Sequence, residues 1–173
     1  MGTLGLLYTP SSVGQVMGIK KTSEQIVISF GVSEPAPNAF TQLEVALQLD
    51  VLNNEVFVVQ AIDLDTQAPD AIAATNTQSR SSVTTTTQTA IASLSNTNTL
   101  AAQILAIRAA GFVDGGVGFT RDSSDAFSNV PQLGIIATNN FFIQVEGTAN
   151  LGGKTVTGKL YGYRAKADSA TYA

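Results

Sequence analysis

The chain has 173 residues, of which only 13% are charged and 44% hydrophobic, with a net charge of −4. Charge at about half the ~25% of an ordinary soluble domain is too little to clothe a lone globule, so the surface is either built from Thr, Ser, Asn and Gln or covered by other protein. The acidic balance argues against a general nucleic-acid binder, and the absence of Cys and His removes disulfides, thiolate chemistry and the commonest general base.

The length fits a single domain over residues 1–173, with an N-terminal arm over 1–22. Residues 1–18 contain no basic side chain before Lys20, which argues against a secretory signal peptide. The Met-Gly start fails the myristoylation pattern, because Leu6 stands where Ser or Thr is needed. No uncharged apolar run approaches the ~20 residues that span a bilayer. Leu4 to Tyr8 is a candidate strand, and Glu24 to Val32 is a firmer one, ended by Ser33, Pro35 and Pro37.

The clearest signal follows. Leu43, Val45, Leu47, Leu49 and Val51 alternate with Glu44, Ala46, Gln48 and Asp50, the period of a half-buried strand. Asn53 and Asn54 supply a turn, and Glu55 to Asp65 runs back, so the pattern predicts a long hairpin. On the returning arm Val56, Val58, Ile62 and Leu64 share a face, and Phe57, Val59 and Ala61 on the other face predict cover on both sides. Asp63, Asp65 and Asp70 are candidate ligands for a hard cation at the strand end. The EF-hand spacing is not met, and the plainer reading is a solvated strand end feeding a Pro-Asp turn.

Ala68 to Ser82 reads as a loop. Val83 to Leu94 is ambiguous, since four successive Thr favour extended chain while Val83, Thr87, Ala90, Ile91 and Leu94 fit a helical stripe, and helix is preferred. Leu100 to Ala110 is rich in Ala and Leu, with Leu100, Ile104 and Ile107 on one face and Gly111 placed as a C′ residue, so it predicts a helix. Gly111 to Pro131 then reads as a long loop whose Asp114, Arg121, Asp122 and Asp125 are candidate inter-subunit contacts. Its glycines trail a helix C-terminus, the wrong end of the dipole for a phosphate.

Leu133 to Thr138, Phe141 to Ala149 and Lys154 to Lys166, joined by turns at Asn139-Asn140 and Asn150 to Gly153, predict a three-strand meander. Gly152-Gly153-Lys154-Thr155 imitates the tail of a P-loop, but Thr148 stands where its first glycine belongs. The last strand concentrates basic residues, and Lys159, Tyr161 and Tyr163 alternate onto one face, with Arg164 beside them. Such a face is a candidate platform for a sugar or single-stranded nucleic acid. The alternative is an edge strand guarded by Lys against unwanted pairing.

These elements predict an α+β fold, mainly antiparallel sheet in two hairpin or meander systems, with one or two helices in the middle. A jelly-roll-like β-sandwich is the alternative, since six to eight strands nearly meet its count. In composition and strand layout over its whole length the chain resembles viral coat and other virion structural proteins. The resemblance rests on no motif and carries no site residues over. It implies a self-assembling capsid, decoration or tail-associated subunit, located in the virion and soluble before assembly. Its partners would be copies of itself and other virion proteins, with no cofactor, no membrane partner and at most non-specific nucleic-acid contact. The alternative function is a carbohydrate-binding or adhesive β-domain at a cell or virus surface. An enzyme is not expected, because nothing in the sequence orients an acid/base pair.

Overall fold

The computed structural model describes residues 18–111, 119–123 and 132–172. Among them lie ten strands: β1 (Ile19–Lys21), β2 (Ile26–Ser33), β3 (Thr41–Ala46), β4 (Glu55–Thr66), β5 (Thr77–Thr84), β6 (Thr99–Arg108), β7 (Phe119–Ser123), β8 (Gly134–Ile136), β9 (Asn140–Thr148) and β10 (Thr155–Ala167). A 3-10 turn at Val51–Asn53 and a four-residue helix, α1 (Ser169–Tyr172), are the only helical elements described. The expected α+β class with central helices is therefore corrected to a mainly antiparallel β protein.

Two sheets form. In the first, β10 pairs with β4, β4 pairs with β8, and the other side of β10 is shared by β1 and β2. The second runs β3-β9-β5-β6-β7. The pairs nest along the chain: β2 with β10, β3 with β9, β4 with β8, and β5 with β6. The main core holds Phe57, Val59, Ile62, Val156 and Leu160 from the first sheet, and Val83, Ala101, Phe141, Ile143 and Val145 from the second. Phe30 and Phe141 meet edge-on across it, with centroids 6.0 Å apart. The two sheets thus pack face to face, as in a sandwich.

The predicted 41–65 hairpin is corrected to a crossover. The returning arm is a strand, β4, in the first sheet, whereas the outgoing arm is a strand only over Thr41–Ala46, β3, in the second. Between them Gln48 and Asn54 take left-handed backbone at φ 55° and 58°, and Leu47 and Leu49 turn into the core. Alternation dictates which face a residue presents but not which strand it pairs with. The meander is corrected for the same reason: β8, β9 and β10 exist, yet successive strands alternate between sheets.

The single stripe expected on β4 is divided by a bulge. Ala61 faces Tyr161 and Val59 faces Gly162, so Gln60 has no opposite residue. Phe57, Val59, Ile62 and Leu64 therefore point to the main core, while Val56 and Val58 point outward into a second cluster with Tyr163, Ala165 and Ile19. Cover on both sides of this strand, as expected, is found.

The Leu100–Ala110 helix is overturned. That stretch is β6, paired to β5 on one side and β7 on the other. Helix preference is worth only a few tenths of a kcal/mol per residue, less than a seat in mid-sheet with ladder bonds on both edges. The Val83–Leu94 helix is also overturned: Val83 and Thr84 end β5, and 85–98 is irregular. The Ala68–Ser82 loop is shortened, because β5 begins at Thr77. The Gly111–Pro131 loop contains β7, and its other residues beyond 111 lie outside the described ones, as does the candidate strand Leu4 to Tyr8. Among the described residues no helix is long and apolar enough to cross a membrane.

Candidate functional site

The candidate surface is the outer face of the first sheet, and β10 organises it. Val156, Gly158, Leu160 and Gly162 turn inward, leaving Thr157, Lys159, Tyr161 and Tyr163 on the outside. Gly158 is required by close approach: a Cβ there would lie 2.6 Å from the Phe30 ring. In register, Ser29, Lys159 and Asp63 form one cross-strand row, and Gly31, Thr157 and Asp65 form the next. A cleft of about 360 Å³ is lined by Ser29, Asp63, Asp65, Thr157 and Lys159 together with Phe30, Leu64 and Gly158. Two carboxylates, an amine and two hydroxyls on an exposed sheet face are suited to hydrogen bonding with a polar partner.

Towards its other end the same face turns apolar. Tyr163 is only 8% exposed, packed with Val56, Val58 and Ala165, and Tyr172 of α1 lies against this cluster. The Lys21 ammonium sits 5.2 Å from the centre of the Tyr163 ring, on the side left open by the sheet. Lys159, Tyr161 and Tyr163 do share one face, as the alternation requires, but Tyr163 is not available for stacking. Arg164 points the opposite way. Its guanidinium donates to the carbonyls of Leu47 and Gln48 at 2.9 and 3.0 Å and pairs with Glu55 at 2.7 Å, clamping the β3–β4 crossover.

Asp63 and Asp65 line the cleft, whereas Asp70 is engaged elsewhere, and no group of three acidic side chains gathers among the described residues. Asp70 takes the Lys154 ammonium at 2.7 Å and the backbone N–H groups of Leu151 and Gly152 at 2.8 and 3.1 Å. The Lys154 bond, followed by those two N–H groups, holds its pKa down at about 2. Beside it buried Glu34 accepts the N–H groups of Gly147 and Lys154, and Asn150 binds Asp70, Asn38 and Gln78. This network ties three connections, 34–40, 67–76 and 149–154, into one end of the sandwich. Sequence reasoning missed Glu34, Asn38 and Asn150 because their partners are mostly backbone groups from distant loops.

The second sheet has a different exterior. Fully buried Gln144 accepts from Ser82 at 2.6 Å and donates to Gln42 and Thr84 at 2.9 and 2.8 Å. The 85–98 segment closes over it, with the Ala92 N–H on Ser82 and the Gln88 N–H on Gln42. Of the candidate contact residues, Asp114 and Asp125 lie outside the described residues. Arg121 and Asp122 stand on β7 opposite Ala106 and Leu105, and their side chains are likewise outside the description.

No protein-family model matches the sequence, and no curated protein is significantly similar to it.

Proposed function

We propose that this chain is a jelly-roll structural subunit of a virion that assembles with copies of itself. The observation that carries the reading is the nested pairing of β2 with β10, β3 with β9, β4 with β8 and β5 with β6 across two sheets. Eight strands folded as one long doubled ribbon make the jelly roll, a double sheet that recurs in viral capsid proteins. The step from fold to role is an analogy, and composition supports it. Only 13% of the residues are charged, which is suited to a surface covered in part by neighbours.

The test is the mass of the purified protein by light scattering, with negative-stain imaging of any large species. Rings, tubes or shells are expected, and an 18.0 kDa monomer at high concentration would overturn self-driven assembly. A second reading, a carbohydrate-binding domain, is favoured by the cleft between Asp63, Asp65 and Lys159. Carboxylates and an amine at that spacing suit sugar hydroxyls, and glycan binding that is lost in Asp63→Ala and Lys159→Ala would select it.

A further inference from the structure

We propose that the open edge of β2 is a self-pairing interface, where the β2 strand of a second copy adds antiparallel and joins two sheets into one. The inference names the contact used by the assembly proposed above and rests on that reading.

The ladder to β10 decides which backbone groups point where. The Glu34 N–H donates to the Lys154 carbonyl at 2.9 Å, so Glu34 and Lys154 are a hydrogen-bonded pair. In an antiparallel ladder such pairs recur every second residue. Val32, Phe30, Ile28 and Ile26 therefore bond to β10, and Val27, Ser29, Gly31 and Ser33 direct their N–H and C=O groups away from it. The opposite edge of β10 agrees, because the Thr155 carbonyl accepts from Gln67 on the β4 side. Among the described residues no strand pairs with that far side of β2.

An edge of this kind is a template for another strand, and proteins usually guard it with charge, proline, a bulge or short length. Other edges carry guards. Strand β8 has three residues, β1 carries Lys20 and Lys21, and β3 carries Glu44. By contrast β2, IVISFGVS, runs eight residues with no charge and no proline. The seam beside it is also incompletely closed: Leu43, on the core face of β3, is 39% exposed, and Ile26, Ile28 and Val32 are only partly buried against the core.

A second copy is the occupant these features fit. An uncharged strand meets its own duplicate without like-charge repulsion, and antiparallel pairing about a two-fold axis makes the contact self-complementary.

The geometry supplies its own control. Proline at Ser29 removes an N–H that no internal bond uses, whereas proline at Ile28 removes one bonded to β10. The experiment compares the wild type with Ser29→Pro and Val27→Lys, by light scattering and by residue-resolved amide exchange. In the wild type the amides of Val27, Ser29, Gly31 and Ser33 are expected to be as protected as those of Ile28, Phe30 and Val32. In both variants the mass should fall by at least half and the odd-numbered amides lose protection, while the even-numbered ones keep theirs and report an intact fold. Ile28→Pro should lose both sets. Wild-type assemblies whose mass survives Ser29→Pro and Val27→Lys would overturn this edge and leave the assembly reading standing. A wild-type monomer with unprotected odd amides would overturn both.

Discussion

The two ends of β10 are each fastened by a cation, and they are fastened differently. At its start Lys154 is 3% exposed and gives one ammonium to Asp70, within a network that also satisfies buried backbone N–H groups through Glu34. Ten residues on, Arg164 is 31% exposed and spreads its guanidinium over two carbonyls and Glu55. At the first end Lys154 and Glu34 are buried, so a lost partner there leaves a group without water, while Asp70 itself is a third exposed. The second is a half-wet clamp in which water can replace what is lost. The comparison teaches that the weight of a polar contact here follows burial of what it leaves behind, more than the number of bonds it makes.

Glu34→Ala should show the difference at its largest. It leaves the N–H groups of Gly147 and Lys154 buried and unpaired, and a cost of about 3 kcal/mol is expected from two orphaned donors. Urea denaturation at neutral pH reads this as a lower midpoint at constant slope. Glu34→Gln keeps one acceptor oxygen and should lose roughly half as much. A midpoint unchanged in Glu34→Ala would break the account of this end.

Arg164→Ala comes next. It removes three bonds, more than Glu34 makes, yet its acceptors can meet solvent, so about 1 kcal/mol is expected. If Arg164→Ala costs more than Glu34→Ala in the same denaturation series, bond count outweighs burial and the comparison is reversed. Opening of the crossover should be visible separately, as faster amide exchange at Leu47, whose N–H bonds to the Asn139 carbonyl.

What could be read from the sequence divides along the same line of locality. Strand β3 announces itself by alternation, and β2, β4, β9 and β10 by runs rich in β-branched and aromatic residues bounded by turn residues. Strand β5 hides, because its inward positions Thr77, Ser79 and Ser81 are small hydroxyl residues that carry no hydrophobic signal although all are buried. Strand β6 misleads, because Ala, Leu and Gln are good helix formers and only its two neighbours make it a strand. The pairing order is non-local throughout, and so the crossovers between sheets were invisible. At the candidate site the shared face of Lys159, Tyr161 and Tyr163 follows from period two. That Tyr163 is buried follows from the bulge at Gln60, which turns Val56 and Val58 outward to meet it. Arg164 as a clamp could not be read, since its acceptors include main-chain carbonyls more than a hundred residues away.

The smallest effect is expected in acid, and it isolates one bond of the buried end. Asp70 has its pKa lowered from 3.8 to about 2, chiefly by Lys154 and then by the N–H groups of Gly152 and Leu151. Below pH 3.8 the unfolded chain protonates this carboxyl first, so it binds more protons than the folded chain and stability falls as pH falls. The contribution is whole above about pH 4 and is lost on the way down to about pH 2. Other carboxylates titrate in the same range, so the informative quantity is the wild type minus Asp70→Asn, each measured by urea denaturation at successive pH values. That difference should be flat at neutral pH and shrink steadily below about pH 4. Lys154→Met removes the largest cause of the shift, which brings the folded pKa back towards 3.8 and narrows the window over which stability falls. A difference that stays constant from neutral pH to about pH 2 would mean that neither the ammonium nor the two N–H groups hold the Asp70 charge.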